Sequence, residues 1–465
     1  MKWWRKRRST AAAGGGGLLA LGALALVGGA LSGLVVAVFR LALIRADAWR
    51  TELIVAAHHQ PFAGFAMIVA GGAAAFALAA WLVRRFSPHA SGSGIPQVEA
   101  ILHGDLPMQS PRLVAVKFGG GLLAIGAGGA LGREGPSVQM GAVVTRLIGQ
   151  VFRRPWPDLQ RLIAAGAGAG LAVAFNAPLA GAVFVLEELV QRFEPRMAMA
   201  ALGASGAAIL IARLFLGNAP DFQVAIATQA VTATGPLPYA TAATLPLYLV
   251  LGVFAGVAAA GYNRAIIGMI VLAERLERLP VELQAAAIGA GIGIIGWFLP
   301  GLIGGGDEIT QRVLAGGMAI GAIPLAFVVR FWLGPVSYAA RTPGGLFAPL
   351  LVLGAQLGLV WGGLCQLAFP TLGIHPEAFA VVGMAAFFTG VVQAPVTGIV
   401  LVTEMTAAFT TLLPMVAAGF TAMLTVRLLR VPPIYDRLRE RVVEQAHLPS
   451  TTVAFYNLIS IWERG

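Results

Sequence analysis

The mostly apolar run Leu18–Ile44 is longer than the roughly 20 residues a helix needs to cross the hydrocarbon core of a bilayer, and runs like it recur along the chain. Inside lipid each backbone N–H and C=O has to be paired within the protein, so only helices or a closed barrel can result, and apolar runs this long select helices. Composition agrees: 58% of the 465 residues are hydrophobic and 11% are charged, where soluble domains carry about 25% charged residues. The expected fold class is an all-α polytopic membrane protein.

Lys2, Arg5, Lys6, Arg7 and Arg8 precede the first run. A signal peptide has the same order, and Ala46-Asp47-Ala48 faintly resembles a cleavage site, but the apolar core of a signal spans only about 7–15 residues. The run is therefore expected to remain as a first membrane helix, with the N-terminus in the cytoplasm, where lysine and arginine accumulate. The same rule accounts first for the net charge of +11; a field drawing anions toward the entrances is a secondary consequence. No solvated basic face with interleaved aromatics is seen, so nucleic acid is not an expected partner. The single Cys365, in an apolar run, excludes an intramolecular disulfide and reads as packing.

Within the apolar stretch Val114–Val144 lies Gly132-Arg133-Glu134-Gly135-Pro136. An ionisable group at membrane depth is costly and therefore usually functional. The glycines let backbone amides approach a ligand, and Pro136 is well placed as the first residue of a helix. A helix N-terminus there offers free N–H groups and the positive end of the dipole, which together make an anion site beside Glu134. A broken helix at that depth has to be buried or line a cavity. The plain alternative is a loop glutamate at the membrane surface.

A second helix, Phe65–Val83, leads to Ser91-Gly92-Ser93-Gly94-Ile95-Pro96, where glycines flank a hydroxyl ahead of a proline break. That serine suits either an anion, donated to by its O–H and neighbouring amides, or an ordinary helix cap. Most glycines from Arg112 to Gln139 serve close helix packing, and Lys117 among them either snorkels or lends positive potential to an anion path. After Leu162–Val173 comes Asn176-Ala177-Pro178-Leu179-Ala180-Gly181, then Glu187-Glu188. Adjacent helical residues point about 100° apart, so one carboxylate can face the interior while the other meets solvent. A carboxyl withdrawn from water is suited to carrying a proton; the plain alternative is a charged helix end.

Met197–Leu216 closes a first half, and the polar, proline-containing Gly217–Pro238 divides it from a second. The expected organisation is a basic N-terminus 1–16, a first membrane repeat 17–216, a connection 217–244, a second repeat 245–441 and a cytoplasmic tail 442–465. The second set of spans is Leu245–Leu272, Leu283–Leu302 and Val313–Leu333, the last containing Arg330. Then Thr342-Pro343-Gly344-Gly345-Leu346-Phe347-Ala348-Pro349 repeats the glycine–proline–helix pattern of the first break. Paired breaks in two halves are the sequence pointer to a transporter binding site at the midplane. Phe379–Phe388, Val396–Phe409 with Glu404, and Leu412–Leu429 follow, before a segment rich in arginine that returns the chain to the cytoplasm. Tyr435 lies just there; its phenol can donate to an anion, or it belongs to the interfacial aromatic belt.

Taken in order, Gly92-Ser93-Gly94-Ile95-Pro96, Gly132-Arg133-Glu134-Gly135-Pro136, Gly345-Leu346-Phe347-Ala348-Pro349 and Tyr435 resemble the CLC family of chloride channels and chloride–proton antiporters. The resemblance implies a homodimer with one anion pathway per subunit, built from two inverted halves with tilted, broken helices. It implies that Ser93 and Tyr435 give hydroxyls, and Leu346 and Phe347 amides, to a central anion. Gly94 and Ile95 extend that site, and amides around Arg133, Glu134 and Gly135 form a neighbouring one. Glu134 looks like the family's gating glutamate, which competes with chloride and leaves when protonated; Glu188 resembles the inner glutamate that relays protons in exchangers. The implied activity is chloride–proton exchange, with chloride, protons and the bilayer as partners, no cofactor or metal, and location in a bacterial inner membrane.

Serine at position 93 suggests chloride, since fluoride-exporting and nitrate-preferring members look different there. Ala339-Ala340-Arg341-Thr342 departs from the small residues relatives carry, which bears on local geometry and entrance potential. The chain ends at Gly465, leaving no room for the nucleotide-binding pair of many eukaryotic members. Two rivals stand beside the exchanger. One is a passive chloride channel of the same fold. The other is an intramembrane serine protease on Gly203-Ala204-Ser205-Gly206, but Ser205 needs a histidine base at its depth, and His375 and His447 lie in a loop and in the polar tail. No H-E-x-x-H occurs either.

Overall fold

The computed structural model describes residues 15–224, 243–276, 278–318 and 320–447. The basic run 2–8, most of the expected connection 217–244 and the tail beyond 447 lie outside the described residues. Among the described residues are seventeen α-helices, and the only extended pairing is two isolated bridges. The first eight helices are α1 (Gly15–Ala57), α2 (Pro61–Phe86), α3 (Ile95–His103), α4 (Arg112–Gly126), α5 (Glu134–Val151), α6 (Trp156–Phe175), α7 (Pro178–Phe184) and α8 (Pro195–Leu216). The other nine are α9 (Leu245–Arg275), α10 (Val281–Phe298), α11 (Asp307–Leu314), α12 (Ile323–Ala339), α13 (Phe347–Ala368), α14 (Pro376–Val392), α15 (Pro395–Thr406), α16 (Leu412–Leu428) and α17 (Ile434–His447).

Seven of these helices are long and apolar enough to cross a membrane. At 1.5 Å per residue the 43 residues of α1 extend about 65 Å, so that helix must tilt or project beyond the bilayer. The 9 residues of α3 and 7 of α7 are too short to cross at all. Helices that begin partway are stable only because neighbours enclose those ends, and the first residues of α3, α5 and α13 (Ile95, Glu134 and Phe347) are all buried.

Small residues let the helices close on one another where lipid gives little hydrophobic drive for association. A Cβ on Gly29 or Gly33 of α1 would run into the backbone of Ala204 or Ala208 of α8, and Gly354 and Gly358 of α13 stand in the same relation to Gly383 and Phe379 of α14. Ser205, between Ala204 and Ala208 on the sequence of α8, is buried.

Three expected boundaries shift. The span expected over Val313–Leu333 is broken: α11 ends at Leu314, a short 3-10 turn covers Ile320–Ala322, and α12 begins at Ile323. Glycine and proline in that stretch (Gly316, Gly317, Gly321, Pro324) interrupt the helical ladder that apolar character alone suggests. The span expected over Leu283–Leu302 ends at Phe298, followed by a 3-10 turn from Pro300. Finally, α5 starts at Glu134 rather than Pro136, leaving the proline within the first turn, where its missing N–H removes no intrahelical bond.

Candidate functional site

The three sequence breaks come together as helix starts. Gly132 and Gly345 exchange both backbone bonds, N–H to O, at 2.8 and 2.6 Å; Gly92 donates to Thr342 O at 3.1 Å and accepts from Gly344 N–H at 3.1 Å. These bonds pin the segments before α3, α5 and α13 to one another, so three sets of unpaired first-turn amides face a common interior. Gly92 and Gly94 have φ of +64° and +94°, a region that side chains rarely adopt, and a Cβ on Gly135 would collide with the Ser93 backbone and hydroxyl.

Into this interior point Ser93, Glu134, Phe347 and Tyr435, all with 0% relative exposure. Glu134 Oε1 accepts the N–H of Phe347 at 2.6 Å, while Oε2 has no partner. Ser93 Oγ and Tyr435 Oη are also buried; they lie within reach of each other and make no well-formed bond to any other group. Buried polar atoms in native proteins are overwhelmingly bonded, so a carboxylate oxygen and a hydroxyl pair with no other well-formed bond, gathered at one cluster of helix starts, mark a place for a polar ligand. The Phe347 ring fixes its own backbone, lying 4.6 Å from Phe388, 5.8 Å from Phe184 and 5.8 Å from Tyr435, centroid to centroid. Leu346 and Phe347 thus supply backbone at the start of α13, Gly94 and Ile95 at the start of α3, and Arg133 and Gly135 at the start of α5.

The arginine beside Glu134 is turned away from it. Arg133 donates to Ala174 O at 2.8 Å, to Asp307 at 2.6 Å and to Asp221 at 3.2 Å, and Asp221 in turn holds Arg40 at 2.5 Å. Lys117 neither snorkels nor faces a path: its Nζ is buried and donates to the carbonyls of Gly92 and Ser93 at 2.6 and 3.1 Å, pulling them away from the interior. Arg330 does the same for another loop, donating to the carbonyls of Leu302, Gly304 and Gly305.

The pair Glu187-Glu188 lies on a turn of π-helix, Val185–Leu189. Glu188 is 6% exposed and lines a cavity of about 640 Å³ together with Glu187, Arg192, Arg427 and Asp436. Glu187 is not merely a solvent-facing neighbour: it accepts the Val396 and Thr397 N–H groups at 3.0 and 2.6 Å, capping α15. Glu404 accepts the Leu179 and Ala180 N–H groups at 3.1 and 2.8 Å, capping α7. Sequence reasoning misses this exchange, although the signal is present: residues 176–187 and 393–404 match as NAPLAGAVFVLE and QAPVTGIVLVTE, each ending in the glutamate that caps the other. It also misses Glu99, buried on α3 and paired with Arg439 at 3.0 Å, and Tyr338, whose Oη accepts the Ser93 N–H at 3.2 Å.

Fold and site together define a helical membrane protein built around buried helix N-termini, buried hydroxyls and a single carboxylate. The sequence profile described as "Voltage gated chloride channel" matches residues 75–427. The chain belongs to that family, the CLC proteins. It is 37% identical over 374 residues to the "H(+)/Cl(-) exchange transporter ClcA" of Vibrio cholerae, covering 79% of this chain and 78% of the relative. With the protein of the same description from Cronobacter sakazakii it shares 35% over 426 residues, covering 90% and 89%. Its structure matches that of "a slow cyanobacterial Cl-/H+ antiporter" with a TM-score of 0.84 and 31% identity, over 91% of this chain and 98% of the other.

Proposed function

We propose that this protein exchanges chloride for protons across a membrane, with Glu134 as the group on which the two compete. The observation that carries this reading is the bond from Phe347 N–H to Glu134 Oε1 at 2.6 Å, beside the buried hydroxyls of Ser93 and Tyr435. A carboxylate and a halide want the same amide. Protonated, Glu134 is a poorer acceptor and can yield Phe347 N–H to chloride; ionised, it takes the amide back as chloride leaves. Because each ligand weakens the hold of the other, the linkage is reciprocal.

In this reading chloride is held by the Ser93 and Tyr435 hydroxyls and the amides of Leu346 and Phe347, with Gly94 and Ile95 bordering that position. The amides around Arg133, Glu134 and Gly135 form the next one. Glu188 hands protons between the aqueous cavity beside α17 and Glu134. The arginines of α17 support a cytoplasmic location for it and for both termini, in a bacterial inner membrane. The matching segments 176–187 and 393–404 support a division into halves 17–216 and 245–441. The functional unit is a homodimer with one pathway per subunit, for which crosslinking of membrane-embedded protein is the check.

The deciding experiment places purified protein in liposomes with a chloride gradient as the only driving force and fixes the voltage with a potassium ionophore so that passive proton flow opposes it. Protons moving uphill are the expected result, and Glu188→Gln should remove them while chloride still flows. Chloride flux without uphill protons in the unaltered protein would make it a channel.

A further inference from the structure

The site has a second closure, one that competition at Glu134 does not involve. Ser93 offers its N–H as well as its hydroxyl, and the N–H is already taken: Tyr338 Oη accepts it at 3.2 Å. The hydroxyl end of Tyr338 packs against the loop, since a Cβ on Gly92 would be 2.9 Å from Oη and 3.3 Å from Cζ. Both Tyr338 and Gly92 line a cavity of about 280 Å³ whose walls include Arg84, Arg341 and Arg441. The phenol is therefore the partition between that cavity and Ser93.

This cavity is at the other end of the molecule from the Arg133–Asp307 pair. Helix α10 begins at Val281 beside the first cavity and ends at Phe298, and the loop that follows lines, with Arg133 and Asp307, a separate cavity of about 330 Å³. Its 18 residues extend about 27 Å. The cations of the 280 Å³ cavity are not equivalent. Arg84 is paired with Glu282 and Arg441 with Glu274, whereas Arg341 makes no ion pair among the described residues. Its backbone has φ of +57°, an uncommon conformation for any residue but glycine, held here by the bonds around Thr342 and Gly344.

We propose that Tyr338 is a displaceable stopper on the α17 side of the anion path, and that Arg341 is the cation that gathers anions in the chamber before it. The inference rests on the reading of Ser93 as an anion ligand. A halide arriving from this cavity meets an amide already satisfied by a phenol oxygen, and it can use that amide only by swinging the phenol aside. A cation in a low-dielectric recess raises the local concentration of anions at the phenol, and this effect is screened by salt.

The test uses the full-length protein and two readouts: chloride binding by calorimetry in detergent, and flux from liposomes with chloride varied on the α17 side alone. Tyr338→Phe keeps the ring and removes the competing oxygen, leaving Ser93 N–H free; chloride binding should tighten by about tenfold, the worth of one hydrogen bond to a charged acceptor. A gain in affinity cannot come from misfolding. Unchanged or weaker binding would overturn the stopper, leaving Tyr338 a structural bond only. Arg341→Ala should raise the half-saturating chloride on that side by about threefold at low ionic strength, with the difference vanishing in a high concentration of an impermeant salt and Arg341→Lys restoring it. A change of equal size from both sides, or one indifferent to salt, would overturn the role of Arg341. If the unaltered protein moves no protons yet Tyr338→Phe still binds halide more tightly, the exchanger reading fails and the stopper stands.

Discussion

At one end of the central site a carboxylate oxygen covers the N–H of Phe347 at 2.6 Å; at the other a phenol oxygen covers the N–H of Ser93 at 3.2 Å. On the proposed reading both closures cover an amide that an anion would use, but they differ in what opens them. A carboxylate has a protonated and an ionised form, and its charge-assisted bond when ionised is about twice as strong as a neutral one. A tyrosine stays neutral across the working range of a cell, so nothing but competition moves it. On the proposed reading the first closure therefore responds to protons and the second to the anion alone.

The change with the largest expected effect removes the asymmetry. Glu134→Gln keeps the shape and one acceptor oxygen for Phe347 N–H but cannot exchange a proton. Uphill proton movement should fall to background while chloride flux continues, read in the liposome assay with a pH electrode. Persistent uphill protons would mean that the carboxylate closure is not the coupling group and that the two ends do not differ as described.

A smaller effect tests how the carboxylate end is held. Arg133, next to Glu134, is tied to Asp221, whose side chain is 5% exposed, and to Asp307, whose side chain is 43% exposed. Asp221→Asn strips the shared counter-charge from Arg40 and Arg133 together, and removing one partner of a buried pair costs about 3–5 kcal/mol. Asp307→Asn removes the more exposed of the two carboxylates and leaves Arg133 its pair with Asp221, so it should cost under about 1 kcal/mol. Thermal unfolding in detergent should rank them in that order. The reverse ranking would show that the arginines are held by their bonds to the Val173 and Ala174 carbonyls rather than by charge.

Much of this site is legible in the amino-acid sequence. Glu134 stands out because an ionisable residue flanked by glycine and proline is costly inside an apolar stretch; Ser93 reads equally as a helix cap and Tyr435 as a belt residue, and only the order of the motifs, through the family resemblance, joins them and Phe347 to the same candidate site. Helix existence is equally plain from apolar runs. Boundaries are less so: apolarity continues past Leu314, where α11 ends and α12 does not begin until Ile323, because burial in lipid and helical bonding are separate requirements. Lys117 cannot be placed from sequence, since a long cation is compatible with either snorkelling or burial until its acceptors are known. Tyr338 is silent for a different reason. An aromatic residue on an apolar helix looks like packing, and only the loop brought beside it from 245 residues away gives its hydroxyl a task.

The smallest predicted effect compares the two halves of the chain instead of the two ends of the site. Glu187 caps α15 with the Val396 and Thr397 amides and also accepts the Thr397 hydroxyl at 2.7 Å; Glu404 caps α7 with two amides only. Loss of a helix cap costs about 1 kcal/mol, so Glu187→Gln should destabilise somewhat more than Glu404→Gln, having one further bond to lose. Each carboxylate sits at the end of one segment and holds the start of the other, so neither brace is mechanically independent. Removing both should therefore cost less than the sum of the single losses, by at least about 0.5 kcal/mol, the size at which contacting residues depart from additivity. Strict additivity in a double-mutant cycle would mean that the two matching segments are braced separately, and that their likeness in sequence reflects only a shared way of starting a helix.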